Sequence, residues 1–258
     1  MVHRIQLVKS ISIQTLDGEE EVSIDVVRDR VIAAMPLVLQ TVAINKRFLA
    51  NGAPSPLLMQ ELHNAAARIL ISVPEVGALK ELLTKQSLLL FERVFQTSHL
   101  TDTPTDFTPV PDCEGTEQGR IAALLLHKVL GLETIAYRSE NEGHMFVNLV
   151  AMPGAGRVSE KSRNAMRGHT DAASFPFRGQ VDKRNPKIAP SPDVVTLVGL
   201  RNPDQIPTTL MKLTDIQAEL DVADVEALCE SGFLVAAQRT FQKGTDNILG
   251  ERHSAENV

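Results

Sequence analysis

The stretch Arg167-Gly168-His169-Thr170-Asp171-Ala172 decides how the rest of the chain is read. It places an imidazole and a carboxylate two residues apart, and residues i and i+2 of a β-strand face the same way. On a strand, both groups would aim at one point. A neutral imidazole nitrogen with a carboxylate oxygen is two thirds of the facial set that holds non-haem Fe(II) and leaves positions open for small ligands. The same spacing also occurs on bland strands that merely expose a His and an Asp. The flanking sequence has to choose between the two.

Around this stretch the chain reads as strands. Residues 134–138 and 145–152 are strand-like, with the turn-rich loop Ser139-Glu140-Asn141-Glu142-Gly143 between them. A polar, glycine-bearing loop over residues 153–164 leads to His169. Residues 178–193 form a second, proline-rich excursion. Residues 194–200, Val-Val-Thr-Leu-Val-Gly-Leu, make the best strand in the sequence, and Asn202-Pro203-Asp204 turns the chain into an extended Thr208-Thr209-Leu210. Further upstream, the apolar run at residues 87–95 reads as a buried strand.

The N-terminal third has a different rhythm. Residues 3–13 alternate as a strand does, and Leu16-Asp17-Gly18-Glu19 reads as a turn. From residue 22 to about residue 49, Val27, Val31, Leu37, Val38 and Ile44 fit a helical face that Pro36 should kink or divide. Ser55-Pro56 opens a second helix with Pro at its first position, and residues 75–83 suggest a third. Later, residues 115–130 form a clear helix with Ile121, Leu124, Leu125 and Val129 on one side and Gly131 at its end. Asp221 caps a last helix reaching about Ser231. The expectation is an α+β chain, a single domain over residues 1–258, with residues 1–84 as helical support and residues 85–258 as the sheet-bearing core.

Composition sets limits on function. The 258 residues are 43% hydrophobic and 22% charged, as in an ordinary globular protein. A net charge of −6 without a basic block, no Trp and a single Tyr argue against a nucleic-acid partner. No stretch nears eighteen apolar residues, and the opening MVHRIQLVKSISIQ lacks the apolar core of a signal peptide, so no membrane partner is expected. Cys113 and Cys229 have neither metal-knuckle nor disulfide spacing, which suits reduced thiols in the cytoplasm.

The order of MFVNLVAMPG (145–154), a polar loop, RGHTDAASFPF (167–177) and PDVVTLVGLRNPDQIPTTL (192–210) resembles the clavaminate synthase-like group of Fe(II)/2-oxoglutarate-dependent oxygenases. That group includes bacterial hydroxylases of free amino acids. The resemblance covers residues 85–250 and is most specific over residues 145–213. It implies a double-stranded β-helix (jelly-roll) core behind an N-terminal helical layer. It also implies Fe(II), 2-oxoglutarate and O₂ as cofactor and co-substrates, and an amino-acid-like small molecule as substrate. His169 and Asp171 correspond to the first two iron ligands, with Asp171 standing where most members carry Glu. Thr209 corresponds to the threonine that binds the co-substrate carboxylate. Ser159 (or its rival Ser162) and Asn141 correspond to substrate contacts.

The family also uses a second metal-binding His on a late strand and an Arg that pairs with 2-oxoglutarate. After Asp171 this chain has only His253, in a polar tail. The β-helix is therefore expected to be incomplete, with open strand edges that a homodimer would cover. Two functions follow from the resemblance. The first is an oxygenase that hydroxylates a free amino acid with release of succinate and CO₂. The second is a truncated or non-catalytic relative that acts in binding or interaction.

Overall fold

The computed structural model describes residues 10–15, 18–44, 55–69, 73–97, 99–107, 109–138, 140–155, 162–164, 168–171, 175–181 and 189–230. The chain divides into two compact units. The first comprises residues 1–102, 110–134 and 198–201; the second comprises residues 103–109, 135–197 and 202–258.

The first unit opens with a hairpin. β1 (Ser10–Thr15) pairs antiparallel with β2 (Gly18–Ser23), in a register that sets Ser10 opposite Ser23 and Thr15 opposite Gly18. Three consecutive glutamates in β2 are poor strand formers, which is why this strand is hidden in the sequence. The chain passes directly into α1 (Ile24–Ile44), followed by α2 (Pro56–Ile69), α3 (Val73–Gln86) and α4 (Glu114–Val129). α1, α2 and α4 pack against one another, and α3 packs on the hairpin.

Each of these helices buries residues at helical spacing. They are Val27, Val31, Met35 and Val38 on α1, Leu58, Leu62, Ala65 and Ile69 on α2, and Ile121, Leu124, Leu125 and Val129 on α4. Fully burying a Leu or Val side chain contributes about 1.5–3 kcal/mol, so this cluster is the main source of the unit's stability. Leu37 is 46% exposed, because Met35 rather than Leu37 continues the 27–31–38 stripe. Pro36 lies inside α1, which continues past it to Ile44 instead of dividing.

Local signals place the helix ends. The Ser55 hydroxyl accepts the Leu58 N–H at 3.2 Å, capping α2. Gly131, at φ +60°, takes the left-handed conformation that ends α4, and its N–H donates to the Lys128 carbonyl. Inside the unit, Arg30 Nη1 meets Glu75 Oε1 at 2.8 Å and the Ile69 carbonyl at 3.1 Å, so one guanidinium ties α1 to α2 and α3. Gly119 lets α4 approach Phe95, Val198 and Leu200. A Cβ there would stand 3.1 to 3.3 Å from their side chains.

The second unit contains a 3₁₀ turn (Asn141–Gly143) and two short helices, α5 (Leu213–Ala218) and α6 (Val222–Cys229). Of its described residues only Asn148 is buried. Its amide donates to the carbonyls of Asp106 and Pro109, and its N–H to that of Phe107, which pins the 106–109 loop. Asp221 caps α6 as its sequence suggests, accepting the Asp224 N–H at 2.8 Å.

The expected jelly-roll is overturned. Among the described residues the sheet structure consists of the β1–β2 hairpin, beside six α-helices, so the architecture is mostly helical. The stretches 87–95, 134–138, 145–152 and 194–200 join no backbone ladder. Ser87 and Arg93, at φ +59° and +56°, interrupt the first of these with left-handed turns. In the others, apolar β-formers are present but no strand among the described residues lies alongside, and Leu149, Val195 and Leu197 remain exposed. Apolar content marks a candidate strand, whereas a sheet needs a non-local hydrogen-bonding partner. Among the described residues there is no barrel, and so no open barrel edge of the kind from which a homodimer was expected. No described helix is long and apolar enough to cross a membrane.

Candidate functional site

His169 and Asp171 lie in the second unit, in a loop and turn and not on a strand. The expectation that a strand face aims them at one point is therefore replaced by turn geometry, which still brings them together. His169 Nε2 stands 3.7 Å from Asp171 Oδ1, with the side chains 45% and 53% exposed. That separation is too long for a hydrogen bond. Two donors holding one cation at about 2.1 Å stand roughly 3.0 Å apart at right angles, so the pair would have to close by about 0.7 Å to share one.

Glycine and asparagine set the backbone around this pair. The turn lies close to the 206–211 segment: a Cβ on Gly168 would stand 2.5 Å from Met211 Cε, the far end of a flexible, exposed side chain that can swing aside. That segment is shaped by Asn202, whose amide accepts the Ile206 N–H and donates to the Ile206 carbonyl, both at 2.8 Å. Gln205 within the loop adopts φ +52°. On the other side, the Tyr137 hydroxyl donates to the Pro190 carbonyl at 2.5 Å, and its ring meets Phe175 edge-on at 5.2 Å. Burial, then the charges of Glu140 and Asp193, push the Tyr137 phenol above its ordinary pKa. Ser191 N–H to the Pro176 carbonyl and Arg178 to Asp193, each at 2.8 Å, brace the same excursion.

The other expected site residues have these surroundings. Thr209 is exposed, two residues before Met211. Asn141 opens the 3₁₀ turn at φ +46°, with its carbonyl accepting the His144 N–H. Ser162 uses its hydroxyl to accept the Met152 N–H at 2.8 Å, and Arg163 donates to the Gly154 carbonyl. This hydroxyl ties Ser162 to Met152. Ser159 and His253 lie outside the described residues.

The residues present fit part of what the resemblance implies. His169 and Asp171 suit two positions of a divalent cation. No group of three or more His, Cys, Asp or Glu side chains able to hold a metal occurs among the described residues. Thr209 is exposed to solvent. No step through that co-substrate follows from this geometry.

One group of chemical interest was passed over in the sequence. Cys113 sits at the N-terminus of α4, its Sγ 3.3 Å from the Thr116 hydroxyl. Burial pushes its thiol up, but hydrogen bonds from Thr116 and Thr101 outweigh that and bring it down to about 7. The readable signal was Cys-Glu-Gly-Thr ahead of an apolar helix, where a helix N-terminus favours a thiolate.

Comparison with protein-family models, curated proteins and solved structures finds no match for the chain, so the resemblance to the oxygenase group rests on the residues quoted for it.

Proposed function

We propose that this protein is a binding protein whose second unit carries an exchangeable divalent-cation site made by His169 and Asp171. The observation that carries this reading is the 3.7 Å approach of Nε2 to Oδ1 across a single turn. Each protein ligand adds a bond and restricts geometry, so a two-donor, half-exposed site holds its ion weakly and leaves the other positions to water or a small oxygen ligand. Imidazole with carboxylate favours Fe(II), Zn(II) or Mn(II) over the harder Ca(II).

The reading as an Fe(II)/2-oxoglutarate oxygenase is kept as the second one, favoured by the same His–Asp pair within the 145–213 resemblance. A single anaerobic titration separates the two. Fe(II) alone should perturb His169. Adding 2-oxoglutarate should give no visible charge-transfer band under the binding reading and a clear band under the oxygenase reading. Iron binding that is unaffected by His169→Ala would remove both.

A further inference from the structure

We propose that the exposed face of α5 and α6 is a docking surface for a basic amphipathic helix supplied by a partner protein. This goes beyond the cation site and rests on different residues. Neither helix buries a single residue. Leu213 is 69% exposed, Val222 74% and Leu228 58%, with Ile216 also exposed. These side chains are not scattered. At about 100° per residue around α6, Val222, Val225 and Leu228 fall within an arc of about 120°, which Glu226 borders on one side and Asp224 on the other. On α5, Leu213 and Ile216 share a face in the same way.

An eight-residue helix is marginal in water and normally depends on packing its apolar stripe against something. Here that stripe meets solvent. Charge selects the occupant. Between residues 210 and 230 the carboxylates Asp215, Glu219, Asp221, Asp224, Glu226 and Glu230 are opposed by Lys212 alone, and all six are exposed. The local balance is 1 − 6 = −5, against −6 for the whole chain. An apolar stripe rimmed by carboxylates complements a helix with leucine-type anchors at i, i+3 and i+7 and lysine or arginine on its flanks. An acidic partner would be repelled, and a purely apolar one would leave the carboxylate rim unpaired.

The test uses the full chain and a fluorescently labelled synthetic peptide of roughly 16 residues, made of Leu and Lys with the leucines on one helical face. A peptide of the same composition with its leucines scrambled is the control. Anisotropy should show the amphipathic peptide binding on the order of tenfold tighter or more than the scrambled one, with affinity falling as salt is raised. Val222→Glu with Leu228→Glu should weaken binding by a similar factor. If circular dichroism shows that this pair unfolds α6, then Asp224→Lys with Glu226→Lys carries the test and should weaken binding and flatten its salt dependence. Equal affinity for the two peptides, or undiminished binding by both double variants, would overturn the proposal. So would a concentration-dependent dimer that Leu228→Glu abolishes, since the occupant would then be a second copy. Binding that appears only after removal of residues 231–258 would also overturn it, by making the chain's own tail the occupant.

Discussion

Replacing Arg30 with Ala should destabilise the first unit out of proportion to the exposure of that residue. The Glu75 side chain is 4% exposed and Arg30 28%, and the two meet at 2.8 Å. Taking one partner from a buried ion pair costs about 3–5 kcal/mol, because the remaining charge is left in a poorly solvated place. Arg30 is partly wetted, and water enters the space it vacates, so the loss falls at or just below the bottom of that range, about 2–3 kcal/mol. The Ile69 carbonyl loses the same guanidinium donor, which adds up to about 1 kcal/mol. The expected loss is therefore about 3 kcal/mol. With a urea slope of about 1–3 kcal/mol per molar, the midpoint should fall by roughly 1 M or more. Far-UV circular dichroism in urea at neutral pH measures it. Arg30→Met combined with Glu75→Leu should recover most of the loss, because no buried charge is then left without its counter-ion. An Arg30→Ala midpoint within error of wild type would refute the reasoning, and so would a double variant as unstable as the single one.

Two titrations give further expectations. Burial holds the His127 imidazole below its ordinary value of 6.5, with Nδ1 2.8 Å from the Thr134 hydroxyl, so the folded state prefers the neutral ring. Its contribution to stability is complete above the unfolded pKa and is lost as pH falls through the lower folded one. Denaturation midpoints measured from pH 7.5 down to 5 should therefore drop, and His127→Gln should flatten that drop; an unchanged slope would count against it. Cys113 should react with iodoacetamide along a curve centred near its thiol value of about 7. Thr116→Val, which removes a hydrogen-bonding hydroxyl, should move that curve upward; mass spectrometry of the two cysteine peptides reads it, and an unmoved curve would refute the assigned cause.

How far the sequence could be read depended on whether the signal was local. The helical spacing of Ile121, Leu124, Leu125 and Val129 with Gly131 after them, Ser55-Pro56 at the start of α2, and Asp221 before α6 each work within a turn or two of chain. They place their elements to within a few residues. The apolar stretch at 194–200 fails for the opposite reason. Its composition suits a strand, but a strand exists only beside another one, and nothing in those seven residues states whether a partner will be there. β2 shows the converse, since Glu19-Glu20-Glu21 would not be picked out as a strand without its pairing to β1. The site divides in the same way. The approach of His169 to Asp171 was legible as a two-residue spacing, though a turn and not a strand delivers it. The contact of Gly168 with Met211 joins residues 43 apart (211 − 168) and had no sequence signature.

The claim that matters most is that His169 and Asp171 bind a divalent cation, and histidine ring NMR tests it directly. The chain has seven histidines, and His169→Gln assigns the one in question. On titration with paramagnetic Co(II), the His169 ring signals should broaden or shift first, with a dissociation constant on the order of 0.1–1 mM for so few ligands. Asp171→Asn should weaken that response severalfold while the fold stays intact. His169 signals that stay unchanged while other histidines respond, or an Asp171→Asn protein that binds Co(II) as wild type does, would contradict the account.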